Sequence, residues 1–113
     1  MKVSDLEGDE LNRYCALAQG WRRNIHRMHG ECADYWSGGC PVDVADYDPV
    51  NNWAQMGPII EDYGIWLSDD ATDEPSGPHI ASVGGAHMQY GSTPLIAAGR
   101  AFVTSVYGDS VDA

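Results

Sequence analysis

Apolar residues near the start of the chain recur every three or four positions, which is the spacing of one face of a helix. Ser4 and Glu7 have the spacing at which two side chains cap a helix start between them. Gly20 stands where a left-handed residue commonly ends a helix. The pattern predicts an amphipathic helix over residues 8–19. Its apolar face consists of Leu11, Tyr14, Cys15 and Ala18.

A second helical pattern occupies the end of the chain. Ser92 or Thr93 is the expected N-cap, and Pro94 takes the first helical position, where no backbone N–H is needed. Gly108 ends the helix, and we expect residues 109–113 to be frayed. The predicted apolar face contains Leu95, Ala98, Phe102 and Val106.

The first part of the chain between these helices is rich in glycine and proline, which favours short strands and turns. Residues 21–28 fit neither the helical nor the strand period well. Residues 47–61 are predicted to form a loop in which Pro58 opens a single helical turn, and Gly64 ends that turn.

A β-hairpin is expected further along. His79–Val83 and residues 86–90 are typical of two strands, and the glycine pair at positions 84 and 85 allows the positive φ angles of a tight turn. Residues 65–67 form a further candidate strand, followed by an acidic loop over residues 69–78. These elements predict a single α+β domain over residues 1–113. In this domain a small antiparallel sheet packs against an N-terminal and a C-terminal helix.

The charge of the chain limits its partners. It carries 17 acidic residues against 6 Lys and Arg, a net charge of −11, so a polyanion is repelled at long range. Direct binding to nucleic acid is therefore not expected. The same charge suits a protein that presents carboxylates to a basic site on another protein, as a DNA mimic does.

The start of the chain is charged where a signal peptide needs an apolar run, and no stretch approaches the ~20 apolar residues of a membrane span. We therefore expect a cytoplasmic protein without a membrane partner. Three cysteines are an odd number for a disulfide framework, and a reducing compartment disfavours one.

Two longer motifs go beyond periodicity. Residues 53–61, WAQMGPIIE, are followed by Gly64 and Ile65, and residues 90–98, YGSTPLIAA, are followed by Arg100. With the opening residues 1–8, Leu11 and the ending over residues 107–109, these motifs resemble the NinX-like family of small phage proteins. The chain departs from the family pattern at Met56, where a second glycine is usual, and at Gly99, where a bulkier residue is usual. Residues 21–46 do not align convincingly.

The resemblance implies a phage accessory protein in the host cytoplasm. Such proteins commonly act by stoichiometric binding to something that the host makes. The resemblance brings no established activity with it, so a candidate site has to come from the residues themselves.

Aromatic and helix-start residues in the two motifs suggest a pocket for a nucleotide. Trp53 and Tyr90 offer rings that stack on a base, and the amide of Gln55 can hydrogen-bond to a base edge. A helix N-terminus attracts phosphate through its free N–H groups and dipole. The residues expected to hold the phosphate are Ser92, Thr93 and either Arg100 or Arg22. The alternatives are ordinary helix capping and aromatic rings buried in the core.

A short basic segment offers two further hypotheses. It contains Arg22, Arg23, His26, Arg27 and His29, which either clamp a small anion or form ion pairs with the many carboxylates. The histidines together with Cys32 and Cys40 suggest zinc, but their spacing matches no familiar ligand motif. We therefore expect no metal and no cofactor.

Enzyme motifs are not recognisable: we find no nucleophile elbow, acid–base carboxylate pair or phosphate loop in the sequence. A non-enzymatic role is expected. Two hypotheses remain. The first is a module that sequesters a nucleotide-derived host defence signal in an aromatic, arginine-edged pocket, which we expect at the interface between copies of a homo-oligomer. The second is an acidic module that binds and inhibits a host protein.

Overall fold

The computed structural model describes residues 1–28, 31–38, 41–68, 78–84 and 86–111. These described residues form three α-helices and two antiparallel three-stranded sheets, which confirms the predicted α+β class. A 3-10 turn at Val3–Asp5 precedes the first helix. The elements are α1 Gly8–Ala18, β1 Arg22–Met28, β2 Glu31–Ser37, β3 Val42–Asp43, α2 Trp53–Tyr63, β4 Ile65–Ser68, β5 His79–Val83, β6 Ala86–Gly91 and α3 Pro94–Tyr107.

Helix α3 lies at the centre of the main core. Leu95 and residues 97–104 are all buried, because the sheet β4–β5–β6 packs on the helix together with α1 and α2. Inside this contact, Gln89 Nε2 donates a hydrogen bond of 3.0 Å to Thr104 Oγ1. The predicted helix start and end at Thr93 and Gly108 are confirmed. Val106, predicted on the apolar face, is exposed.

Helix α1 is confirmed, but its predicted cap is wrong. Ser4 lies inside the Val3–Asp5 turn, and the residue at the N-cap is Glu7, whose side chain makes no capping hydrogen bond. The buried side chains of Val3 and Leu6 hold that turn against the core, so the chain turns once before the helix begins. Gly20 has the expected positive φ, 83°.

Helix α2 is longer than the sequence predicts. It begins at Trp53 instead of Pro58, and Asn52 Oδ1 caps it by accepting a hydrogen bond of 2.9 Å from Ala54 N. Pro58 therefore stands inside a helix. In a helix, a proline ring clashes with the Cβ of the preceding residue, and Gly57, which precedes Pro58, has no Cβ. The predicted stop at Gly64 is confirmed, with φ of 62°.

The strands form two separate sheets where the sequence predicted one. The strands β5 and β6 form the expected hairpin, and β4 pairs with β5 so that Ile65 lies opposite Val83. In the other sheet, residues of β1 and β2 pair from Arg22 opposite Ser37 to Met28 opposite Glu31. We call this second hairpin, β1 with β2, the ribbon. Residues 22–28, whose pattern fits neither the helical nor the strand period well, are therefore a strand.

A second, smaller core anchors the ribbon. Trp36 of β2 and Tyr47 are buried against Ala16 of α1. The ring of Trp21 lies 5.2 Å from that of Tyr47, centroid to centroid. Aromatic packing at its base thus joins the ribbon to the first helix.

The tail is ordered as far as Val111, so the predicted fraying of residues 109–111 is wrong. Val111 is buried, and its N–H donates a hydrogen bond of 2.9 Å to Met1 O. Asp109 O accepts another of 2.9 Å from Val3 N. The two ends of the chain therefore hydrogen-bond to each other. The local sequence of the tail could not predict these bonds, because their partners are at the other end of the chain. Residues 112–113 lie outside the described part.

Gly91 marks the closest approach of β6 to α3. A Cβ built there would lie 2.5 Å from Ala97 N, a backbone atom that cannot move aside cheaply. We expect Gly91→Ala to lower the free energy of unfolding by about 1–3 kcal/mol, as overpacking does. Urea unfolding followed by circular dichroism measures the change. The adjacent exposed Ser92→Ala is the control and should stay within about 0.5 kcal/mol of wild type; equal stability of both variants would contradict this packing.

Cys15 is fully buried between α1 and α3, and burial raises the pKa of its thiol to about 12. In a Cys32→Ser/Cys40→Ser background, the native protein should therefore resist a thiol reagent at mildly alkaline pH, since the thiolate is the reactive species. One thiol should react after unfolding in guanidinium. Rapid native-state labelling of Cys15 would show that this helix contact is open.

Candidate functional site

The starts of helices α2 and α3 meet at an open cleft of about 310 Å³, here called the Trp53 cleft. Ligand pockets usually occupy about 300–1,000 Å³, so it is at the small end of that range. Its lining residues are Trp53, Leu67, Ser68, His79 and Pro94. Trp53 begins α2 and Pro94 begins α3, so two elements that are distant in sequence build the cleft together.

Trp53 presents a large apolar ring to solvent. Its side chain is 56% exposed, although tryptophan is normally among the most buried residues of a small domain. The Asn52 cap fixes the backbone at the start of α2, so the position of Trp53 is set by regular structure. Leu67, at 37% exposure, adds a second apolar side chain to the cleft.

The start of α3 reaches the Trp53 cleft through Pro94. Thr93 Oγ1 accepts a hydrogen bond of 3.2 Å from Ile96 N, and Thr93 O accepts one of 3.1 Å from Ala97 N. Pro94 has no N–H to contribute. The helix dipole leaves partial positive charge at this end. All five side chains that line the described cleft are non-acidic, in a chain with a net charge of −11.

Of the predicted site residues, Trp53 lines the cleft. Ser92 and Thr93 directly precede Pro94, which also lines it, but they are not lining residues themselves. Tyr90 is elsewhere: its neighbour Gln89 points to α3, so alternation along β6 directs the Tyr90 ring to the opposite face of the sheet.

Gln55 is occupied by the preceding loop. Its Oε1 accepts a hydrogen bond of 2.5 Å from Asp48 N, and its Nε2 donates one of 2.7 Å to Asp46 O. Asn12 Nδ2 donates to Asp48 Oδ1 at 2.8 Å and ties the same loop to α1. The amide of Gln55 thus holds the chain ahead of α2 in place.

Arg100 is buried and lies away from the cleft. Its Nε donates a hydrogen bond of 2.8 Å to Leu6 O, and its Nη1 donates one of 2.7 Å to Tyr90 O. Burial lowers the pKa of its guanidinium, and nearby carboxylates oppose that shift. Arg22 belongs to the ribbon, in the other sheet. These two arginines are therefore not part of the Trp53 cleft.

The sequence missed Leu67, Ser68 and His79 as cleft residues. Leu67 pairs with Ala81, whose side chain is buried under α3, so both belong to the helix-facing side of the sheet. The acidic segment 69–77, which separates β4 from β5 in sequence, lies outside the described residues. The pairing register between β4 and β5, which are separated by this segment, cannot be predicted from the local sequence pattern.

A second cleft of about 460 Å³ lies between α1 and the base of the ribbon. Its charges are mixed: Asp9, Glu10 and Arg13 come from α1, and Arg23 comes from β1. The other lining residues are Asn12, Trp36, Val44, Ala45 and Tyr47. Carboxylates in the wall make this cleft less suited to a phosphate than the Trp53 cleft.

Arg23 already has a partner. Its Nε donates a hydrogen bond of 2.8 Å to Asp34 Oδ1, and its Nη2 lies 2.5 Å from Asp34 Oδ2. For Arg23, this two-pronged contact with a carboxylate corresponds to the ion-pair alternative given for the basic segment. The side chains of His26, Arg27 and Cys32, and residues His29 and Cys40, lie outside the described part of the chain, so the proposed anion clamp and zinc ligands are not described.

These features describe a small α+β protein with an aromatic cleft at the start of two helices. A family model matches residues 2–106, and the chain belongs to that family, bacteriophage P22 NinX. No curated protein matches the chain. Among the described residues, no helix is both long and apolar enough to cross a membrane.

The Arg23–Asp34 contact lowers the pKa of Asp34, chiefly through the hydrogen bonds from the guanidinium. We expect Arg23→Ala to return this pKa to the ordinary carboxylate range, measured by NMR titration of the side-chain carboxyl carbon. The ion pair stabilises the ribbon above the ordinary pKa of aspartate and is lost as pH falls through the lowered value. Arg22→Ala, on the neighbouring strand position, is the control; an equal shift in both variants would refute the pairing.

Proposed function

We propose that this NinX-family protein is a non-enzymatic phage accessory protein that sequesters a nucleotide-derived host defence signal in the Trp53 cleft. The observation that carries the proposal is the exposed Trp53 ring beside the start of α3. Together they offer one flat apolar face, which suits the base of a nucleotide, and one weakly positive helix end, which suits its phosphate.

Stacking on Trp53 supplies the larger share of the affinity. Base–aromatic stacking contributes about 1–3 kcal/mol per base by alanine substitution. The backbone of Trp53 is fixed at a helix start, so it does not have to be ordered when the ligand binds. Leu67 and Pro94 extend the apolar surface around the base.

We assign the phosphate of the ligand to the start of α3, where the helix dipole favours negative charge. The exposed Ser92 is two residues before Pro94 and is the nearest candidate donor in sequence. The net charge of −11 works against any anion at long range, which favours a small ligand over a nucleic acid. Moderate salt should therefore strengthen binding by screening this repulsion.

Thermal shift and calorimetry test the proposal with a defined panel: cyclic dinucleotides, cyclic oligonucleotides, ADP-ribose derivatives and NAD. A ligand of the native state raises the apparent Tm by mass action. We expect one class to do so, and Trp53→Ala to weaken its binding about tenfold or more.

Trp66→Ala is the matched control, since Trp66 is 72% exposed but does not line the cleft. It should bind like wild type. Ligand binding that Trp53→Ala leaves unchanged would contradict the proposed site, and a panel without any Tm shift would contradict the proposed ligand class.

The alternative proposal, an acidic module that inhibits a host protein, rests on the net charge alone. The exposed carboxylates come from separate elements, such as Asp9 of α1, Asp43 of β3 and Glu61 of α2. Such a distribution is typical of a surface that keeps a protein in solution. Capture of a basic partner in a salt-sensitive manner would favour this alternative instead.

A further inference from the structure

Gln55 links α2 back to the loop over residues 46–52, which precedes the helix. Its amide is used at both atoms, since Oε1 accepts a hydrogen bond from Asp48 N and Nε2 donates one to Asp46 O. With Asn52 as the N-cap, Gln55 has the position from which a Glu or Gln side chain commonly reaches back to the N–H of the N-cap. Here the side chain reaches past the N-cap to Asp48. It therefore fixes the loop as well as the helix start.

Asn12 of α1 holds the same loop from a second helix. Its side chain is 4% exposed, and it also uses both atoms of its amide. Nδ2 donates a hydrogen bond of 2.8 Å to Asp48 Oδ1, and Oδ1 accepts one of 3.2 Å from Val50 N. Asp48 is thus bound through its N–H by Gln55 and through its carboxylate by Asn12. Two helices that are distant in sequence set the position of this loop.

The loop ends directly before Trp53. Its last residue is Asn52, whose backbone oxygen accepts hydrogen bonds of 3.1 Å from Gln55 N and 3.0 Å from Met56 N. The backbone of Trp53 lies between these bonded residues, so it moves only if the loop or the helix start moves with it. With 56% of its side chain exposed, the indole depends on this backbone for its position.

We propose that Gln55 and Asn12 are positioning residues of the Trp53 cleft. Neither lines the cleft as the structure describes it, and both act through the loop that sets the backbone of Trp53. A backbone that is fixed before the ligand arrives does not have to be ordered on binding. The inference rests on the proposed function, because it concerns the same site. It gives the glutamine of the 53–61 motif a role other than hydrogen bonding to a base.

The first measurement needs no ligand and follows the backbone N–H groups of Trp53 and Met56 by NMR. Gln55→Met is close to glutamine in length but cannot hydrogen-bond to the loop. We expect it to shift the Trp53 amide signal and to speed hydrogen exchange at Met56 N about threefold or more, which corresponds to the loss of one net hydrogen bond. Gln55→Glu keeps the acceptor for Asp48 N and loses the donor, so its effect should be smaller.

Asn12→Leu tests the contact from α1 and should change the same two signals, although Asn12 belongs to another helix. Thr104→Val is the matched control. It removes the oxygen that accepts a hydrogen bond from Gln89 Nε2 in the main core, so it lowers stability without touching the loop. It should leave the Trp53 signal and the exchange at Met56 as in wild type. Circular dichroism verifies that each variant is folded, and the Gln55 variants decide the test if Asn12→Leu is not.

With a member of the nucleotide panel that binds, Gln55→Met should raise the Kd about three- to tenfold, and Thr104→Val should leave it unchanged. Wild-type exchange and a wild-type Trp53 signal in Gln55→Met overturn the inference, and so does a raised Kd in a variant whose ligand-free Trp53 signal is unchanged. Equal effects of Thr104→Val would also overturn it. If no member of the panel binds, the proposed function fails, whereas the ligand-free measurements still decide the role of Gln55.

Discussion

Arg100 lies in the middle of the buried helix α3, where its guanidinium has to find hydrogen-bond acceptors inside the protein. It finds Leu6 O in the turn before α1 and Tyr90 O at the end of β6. One side chain thus joins the start of the chain, the sheet and the central helix. The same guanidinium therefore satisfies a backbone carbonyl of each of these two elements.

The position of the cleft follows from this arrangement. Tyr90 is held to Arg100, and Gly91 allows the chain to pass within contact distance of Ala97 as it turns into α3. Pro94 is thereby fixed at the edge of the sheet, beside Leu67. The end of β4 and the start of α2 reach the same edge, which is where Trp53 is exposed.

Local signals in the sequence were sufficient for the elements that carry their own start and stop residues. The Thr93 cap, Pro94 and Gly108 predicted α3, and the glycine pair predicted the β5–β6 hairpin. The start of α2 was missed because a proline normally marks a helix start, whereas here Gly57 accommodates Pro58 inside the helix. The single predicted sheet became two because strand pairing across the chain has no local signal.

The site was predictable only in part for a related reason. Trp53 and the start of α3 were identified from residue type and helix capping, which are local properties. The roles of Gln55, Tyr90 and Arg100 depend on which way a side chain points and on whether it already has a partner. These facts require the fold, in which a loop occupies Gln55, strand alternation turns Tyr90 away and burial commits Arg100 to two carbonyls.

The most direct test of the central claim, that the Trp53 cleft is a ligand site, is NMR of the indole N–H groups of the 4 tryptophans during titration with the nucleotide panel. Assignment by single Trp→Phe variants identifies each signal. A ligand in the cleft is predicted to shift the Trp53 signal in a saturable manner and to leave Trp66 in place. Saturable shifts confined to Trp21 and Trp36, at the base of the ribbon, or the absence of any shift would contradict it.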